Sequence, residues 1–132
     1  MKLVVFDLDR TLASTFDIDE ECFVQALVQS LGIEKPNTNW LEYEHVTDSG
    51  VVREAFATTF GRLPSTTEVL RFVECFVELL THRYQKENHR FREVPGAASL
   101  LRRLKGNSEW RAAIATGSWE RSARFKMKRQ NR

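Results

Sequence analysis

The chain has 132 residues, the size of one domain with room for an insertion, and 42% of them are apolar, enough for a packed core. With 29% charged residues and a formal net charge of +2, it carries no global field that would draw nucleic acid or an anionic membrane. Cys22 and Cys75 have neither metal-knuckle nor redox-pair spacing and read as buried thiols in a reducing compartment. No apolar run resembles a signal peptide or a membrane span, so a cytoplasmic location is expected.

The first element is Leu3-Val4-Val5-Phe6, a continuous apolar run that predicts a strand buried on both faces of a parallel sheet. It closes on Asp7-Leu8-Asp9-Arg10-Thr11, at the carboxyl edge where open α/β folds place their chemistry. Over residues 17–31 the pattern turns helical, with Phe23, Ala26, Leu27 and Leu31 on one stripe and Gly32 after it. Residues 32–46 contain Pro36, Asn37 and Asn39 and read as an irregular connection. A second helix should start with Asp48 or Ser49 as its cap, turn Val52, Ala55, Phe56 and Phe60 inward, and stop at Gly61.

Ser65 and Glu68 then make a capping box for a longer third helix, whose stripe is Val69, Phe72, Val73, Phe76, Leu80 and Tyr84. Residues 87–92 are polar and read as a linker. Val94-Pro95-Gly96 leads into a fourth helix with Ala97, Leu100, Leu101 and Leu104 inward. Residues 110–115 form a second strand, closed by Thr116-Gly117-Ser118 in the same way as the first. A last helix from Trp119 becomes wholly basic: Arg121 to Arg132 holds six basic residues and no acid. Without an aromatic platform it reads as a solvated helix end rather than a nucleic-acid surface.

Strand, helical insertion, helix, strand, helix is the resulting order, and the helical crossover favours parallel pairing of the two strands. Asp7 and Asp9 follow the first strand two residues apart, where they repel unless a cation compensates. A hard cation such as Mg²⁺ suits oxygen donors and leaves room for water and phosphate. One carboxylate beside such an ion can attack phosphorus, and the other can move the proton. Thr116 and Gly117 offer a hydroxyl and a backbone N–H for phosphate oxygens.

Val5-Phe6-Asp7-Leu8-Asp9-Arg10-Thr11-Leu12 resembles the first motif of the haloacid dehalogenase superfamily, and Ile114-Ala115-Thr116-Gly117 resembles its second. Val94-Pro95-Gly96-Ala97 resembles the lead-in to the helix before that second motif. The resemblance implies an α/β fold: a Rossmann-like parallel-sheet core over residues 1–12 and 93–132, incomplete here, with a helical-bundle cap inserted over residues 13–92. It implies Asp7 as nucleophile and Mg²⁺ ligand, and Asp9 as general acid/base whose backbone carbonyl also reaches the metal. Thr11, Thr116 and Gly117 would bind substrate. A second acid at Asp9 is the mark of phosphoryl chemistry in this superfamily, so the expected activity is Mg²⁺-dependent hydrolysis of small phosphorylated metabolites through an aspartyl-phosphate. Phosphomutase chemistry stays open, as does a catalytically incomplete protein that binds a phosphorylated ligand or a partner. A nucleic-acid module using the basic tail is a more distant rival.

The departures from the family pattern are at its end. The superfamily's third motif supplies a lysine, and the lysines behind Thr116 are Lys126 and Lys128, on a helix expected to run away from the site. No stretch matches the fourth, acidic motif. The first strand is then expected at an open sheet edge, with weak Mg²⁺ binding and weak or absent turnover. His45, His82 and His89 lack metal-site spacing. Val46-Thr47-Asp48-Ser49-Gly50 in the cap is the candidate for substrate choice, its plainer reading being a helix N-terminus. Trp40 and Tyr43 are expected to pack the cap, and Trp119 to anchor the turn after Thr116.

Overall fold

A computed structural model describes residues 1–128, apart from the side chain of Phe16. The basic end of the tail, Arg129 to Arg132, lies outside the described residues. In chain order the elements are β1 (Lys2–Phe6), β2 (Ala13–Ser14), α1 (Phe16–Leu31), α2 (Asp48–Phe60), α3 (Thr66–Glu87), β3 (Arg92–Glu93), α4 (Ala97–Lys105), β4 (Trp110–Ile114) and α5 (Glu120–Lys128). β1 and β4 pair in parallel, Lys2 with Trp110 through Phe6 with Ile114, as the crossover through α4 requires. β2 and β3 pair antiparallel, Ala13 with Glu93 and Ser14 with Arg92, and tie together the two ends of the helical insertion.

Inside the insertion, Phe23 of α1 makes edge contacts with Phe72 and Phe76 of α3 at 5.0 and 5.4 Å between ring centroids. Phe56 of α2, Phe72, Phe76 and Leu80 are fully or almost fully buried, so the apolar stripes read from the sequence make one core. Trp119 stacks on Phe23 at 6.4 Å and anchors the segment after Thr116 to that core. Tyr43 is buried and donates its hydroxyl to the Asn37 carbonyl, whereas Trp40 donates to Glu20. A second, smaller core of Leu8, Leu12, Ala13 and Ala97 lies under the strand ends.

Several expectations are corrected. β1 is not buried on both faces: Leu3 is 64% and Val5 55% exposed. Its partner among the described residues is β4 alone, so one edge and part of its surface stay open. Phe60 and Leu100 face outward rather than into the core. Ala97 and Ala98 rather than Leu100 are the buried residues of α4. The cap of α2 is Thr47, whose hydroxyl accepts from the Gly50 N–H, rather than Asp48 or Ser49. Cys22 is buried, with its thiol pushed up to about 11 by that burial, but Cys75 is only half-buried. No described helix is long and apolar enough to cross a membrane.

The capping box of α3 forms as read, with the Ser65 hydroxyl accepting from the Glu68 N–H and the Glu68 carboxylate accepting from the Ser65 N–H. The Arg62 guanidinium, then the Ser65 N–H, hold the Glu68 carboxyl down to about 2. A folded-state value depressed from 4.5 stabilises the fold above pH 4.5 and loses that contribution as pH falls toward 2. Glu68→Gln is therefore expected to lower the urea midpoint at neutral pH, with the gap to the parent chain closing in acid. An equal gap at pH 7 and pH 2 would show that the pair contributes nothing through charge.

Candidate functional site

The site forms where β1 and β4 end side by side. The Ala115 N–H donates to the Phe6 carbonyl at 2.8 Å, so Asp7 and Thr116 leave the sheet next to each other. After Asp7 the chain turns tightly: the Leu8 carbonyl accepts from the N–H groups of Thr11, Leu12 and Ala13. Arg10 sits in the left-handed region at φ 65° to make that turn, a strained conformation for a residue with a Cβ. Asp7 and Thr11 are exposed, and Asp9 is half-buried. Thr116 accepts the Ser118 N–H on its hydroxyl, which shapes the second turn.

Lys126 reverses the expectation for α5. Its side chain is 0% exposed and turns back into the site rather than away from it. The ammonium donates to Asp9 Oδ1 at 2.9 Å and to the Ser118 hydroxyl at 3.2 Å. It also lies 3.0 Å from Asp19 Oδ1 on α1, an ion pair that lacks hydrogen-bonding geometry. Burial disfavours the ammonium, but the carboxylates of Asp19 and Asp9 outweigh it and hold its pKa above the usual lysine value. Lys128 has no such contact to these groups.

A fourth acid arrives with α2. The Asp48 N–H donates to the Gly117 carbonyl at 2.9 Å, which docks the start of α2 on the second turn. This docking also explains Gly117, because a Cβ there would come within 3.3 Å of the Thr47 backbone. The Asp48 carboxyl is pushed up to about 7, first by burial and then by the negative charge of Asp19. Its Oδ2 is buried with no hydrogen-bond partner. Asp19 is likewise raised, mainly by burial, with Lys126 acting against the shift. Asp19, Phe23, Trp40 and Asp48 line a cavity of about 250 Å³ between α1 and α2.

The structure thus brings Asp7, Asp9, Thr116 and Gly117 to one edge, with Thr11 on the adjoining turn. Sequence reasoning missed Asp19, Ser118 and the inward Lys126. Asp19 stands four residues before Phe23, in line with the apolar stripe of α1, and that misplaced charge was a readable signal. His45, His82 and His89 stay outside this group. Among the described residues, no three His, Cys, Asp or Glu side chains are arranged to hold a metal ion. Asp7 and Asp9 still offer the hard oxygen donors that Mg²⁺ accepts with water and substrate phosphate completing its shell, so the donor set fits a loosely held Mg²⁺.

A family model described as haloacid dehalogenase-like hydrolase matches residues 4–131. The chain is also similar in fold to the crystal structure of a hydrolase from Pseudomonas syringae, with a TM-score of 0.64 and 21% identity. That match covers 97% of this chain and 55% of the other, so the chain spans about half the length of the solved relative. No curated protein matches it.

Proposed function

The chain belongs to the haloacid dehalogenase-like hydrolase family, and from that premise we propose that it carries the site of a phosphatase acting on small phosphorylated metabolites in the cytoplasm. The observation that supports this most is the parallel pairing of β1 and β4, whose adjacent ends carry Asp7 and Thr116. In this reading an Asp7 carboxylate oxygen attacks phosphorus and the ester P–O bond breaks. Asp9 gives its proton to the departing alkoxide. Water then attacks the aspartyl-phosphate at phosphorus, Asp9 takes the proton, and inorganic phosphate leaves with Asp7 restored. Lys126 occupies Asp9 Oδ1, so the other carboxylate oxygen handles the proton. The hydroxyls of Thr116 and Thr11 and the Gly117 N–H hold phosphoryl oxygens. Mg²⁺, held by the Asp7 carboxylate and the Asp9 backbone carbonyl, would lower the charge repulsion between nucleophile and phosphate. Residues 13–92 act as the cap that covers the site.

The test is phosphate release from a panel of small monoesters, with Mg²⁺ and with chelator. We expect chelator-sensitive release that Asp7→Asn reduces on the order of a thousandfold or more. Release that survives Asp7→Asn would end the aspartyl mechanism. A second reading, a protein that binds a phosphorylated ligand without turning it over, is supported by the lack of a third metal-binding side chain among the described residues. Ligand binding by a folded chain that releases no phosphate would favour it.

A further inference from the structure

The ammonium of Lys126 has three N–H donors and three neighbours: Asp9 and Ser118 from the strand-end turns, and Asp19 from α1. It is fully buried, so water has no route to a fourth position. Any further anion that reaches Lys126 must displace one of the three. Asp9 Oδ1 and the Ser118 hydroxyl hold proper hydrogen bonds. Asp19 Oδ1 sits at ion-pair distance without one. It also lines the cavity between α1 and α2, which gives its carboxylate space to move into. Asp19 is therefore the one neighbour of the three that borders this cavity and has somewhere to go.

We propose that Asp19 is a built-in substitute anion, which neutralises Lys126 in the empty site and is displaced from it when a phosphoryl group binds. The inference rests on the phosphate-site reading above and deepens it with a positioning residue that lies in neither recognised motif. Asp19 never touches the reacting atoms: it acts through Lys126, by competing with substrate for one buried charge. Its carriage on α1 couples that competition to the cap. Displacement breaks an ion pair between the helical insertion and α5, so binding phosphate loosens the contact that holds them together. Together with Asp9, Asp19 keeps the lysine charged and inward without substrate, against the cost of burying an ammonium.

Inorganic phosphate is the probe, titrated calorimetrically into the full chain with chelator present so that the readout does not depend on metal or turnover. Asp19→Asn removes the competitor while keeping the side chain's shape. It should bind phosphate about tenfold more tightly than the parent, within the range of coupling for groups in one ion-pair network. The gain should disappear in the Asp19→Asn, Lys126→Gln double variant, because the competition is for that ammonium. A purely structural role for Asp19 would give unchanged or weaker binding, and a tightening that persists without Lys126 would be bulk electrostatics. Either result overturns the inference. Thermal melts of each variant establish that a folded chain is being titrated. Phosphate binding by the parent that Asp19→Asn leaves unchanged sinks this inference alone. No phosphate binding by any folded variant, together with no phosphate release from monoesters, sinks the phosphatase reading beneath it.

Discussion

Replacing Lys126 by methionine is expected to destabilise the chain by about 3–5 kcal/mol, the usual cost of removing one partner from a buried ion pair. Methionine nearly matches the length and volume of the lysine stem, so lost packing contributes little. What is lost is the charge beside Asp9 and Asp19, at 2.9 and 3.0 Å. Those carboxylates and Asp48 would then be left facing one another in a partly desolvated site. They can respond by binding protons or by letting water in, and both routes weaken the packing of α5 against α1 and α3. Urea denaturation at neutral pH measures the effect as a fall in midpoint with an unchanged slope. A midpoint within error of the parent would mean that the ammonium is solvated and that the cluster does not exist in solution. Adding Asp19→Asn to Lys126→Met should recover part of the loss, since one of the unpaired charges goes with it.

The fate of Lys126 also marks where the sequence stopped being informative. Period and punctuation were legible: the stripe Phe72, Phe76, Leu80 requires an amphipathic helix, and Ser65 with Glu68 announces where it starts. The strand ends were legible too, because an apolar run broken by Asp7-Leu8-Asp9, and another broken by Thr116-Gly117, place polar groups at one edge of a parallel pair. The direction of a single side chain on α5 was not. A lysine in a run of basic residues looks solvated, and only packing reveals that the helix turns Ser122 and Lys126 inward, one turn apart, beneath α1. Asp48 was hidden differently. Its segment was marked for substrate choice, but a helix start gives a carboxylate a local reason to be there and does not announce its burial beside Asp19. Burial of β1 was misjudged because a doubly covered strand and a half-open one carry the same apolar run.

Asp48→Asn should move stability in the opposite direction, raising it by about 3 kcal/mol at pH 8. Burial, and then the charge on Asp19, push the Asp48 carboxyl up to about 7 from an ordinary 3.8. In an acid whose folded value is raised, the folded state binds more protons than the unfolded one between those two values. Stability is therefore undiminished below about pH 3.8, falls as pH rises through this window, and is fully reduced above about 7. The full shift converts to slightly more than 4 kcal/mol, and partial contact with solvent reduces it to the figure given. Asparagine keeps the shape but cannot ionise, so its advantage should be largest at pH 8, smaller at pH 5 and absent below pH 4. Thermal melts at those values read the difference directly. A gain that does not vary with pH would mean that the carboxyl titrates normally and that any benefit comes from packing. A fold that keeps an acid in such a place accepts lower stability there. The orphaned Oδ2, in the wall of the cavity beside Phe23 and Trp40, is the feature this cost accompanies. In the phosphatase reading proposed above, the cavity that Asp48 lines beside the Gly117 turn is the room offered to the leaving group. The same substitution that stabilises the empty chain should therefore raise KM for substrates whose leaving group donates hydrogen bonds.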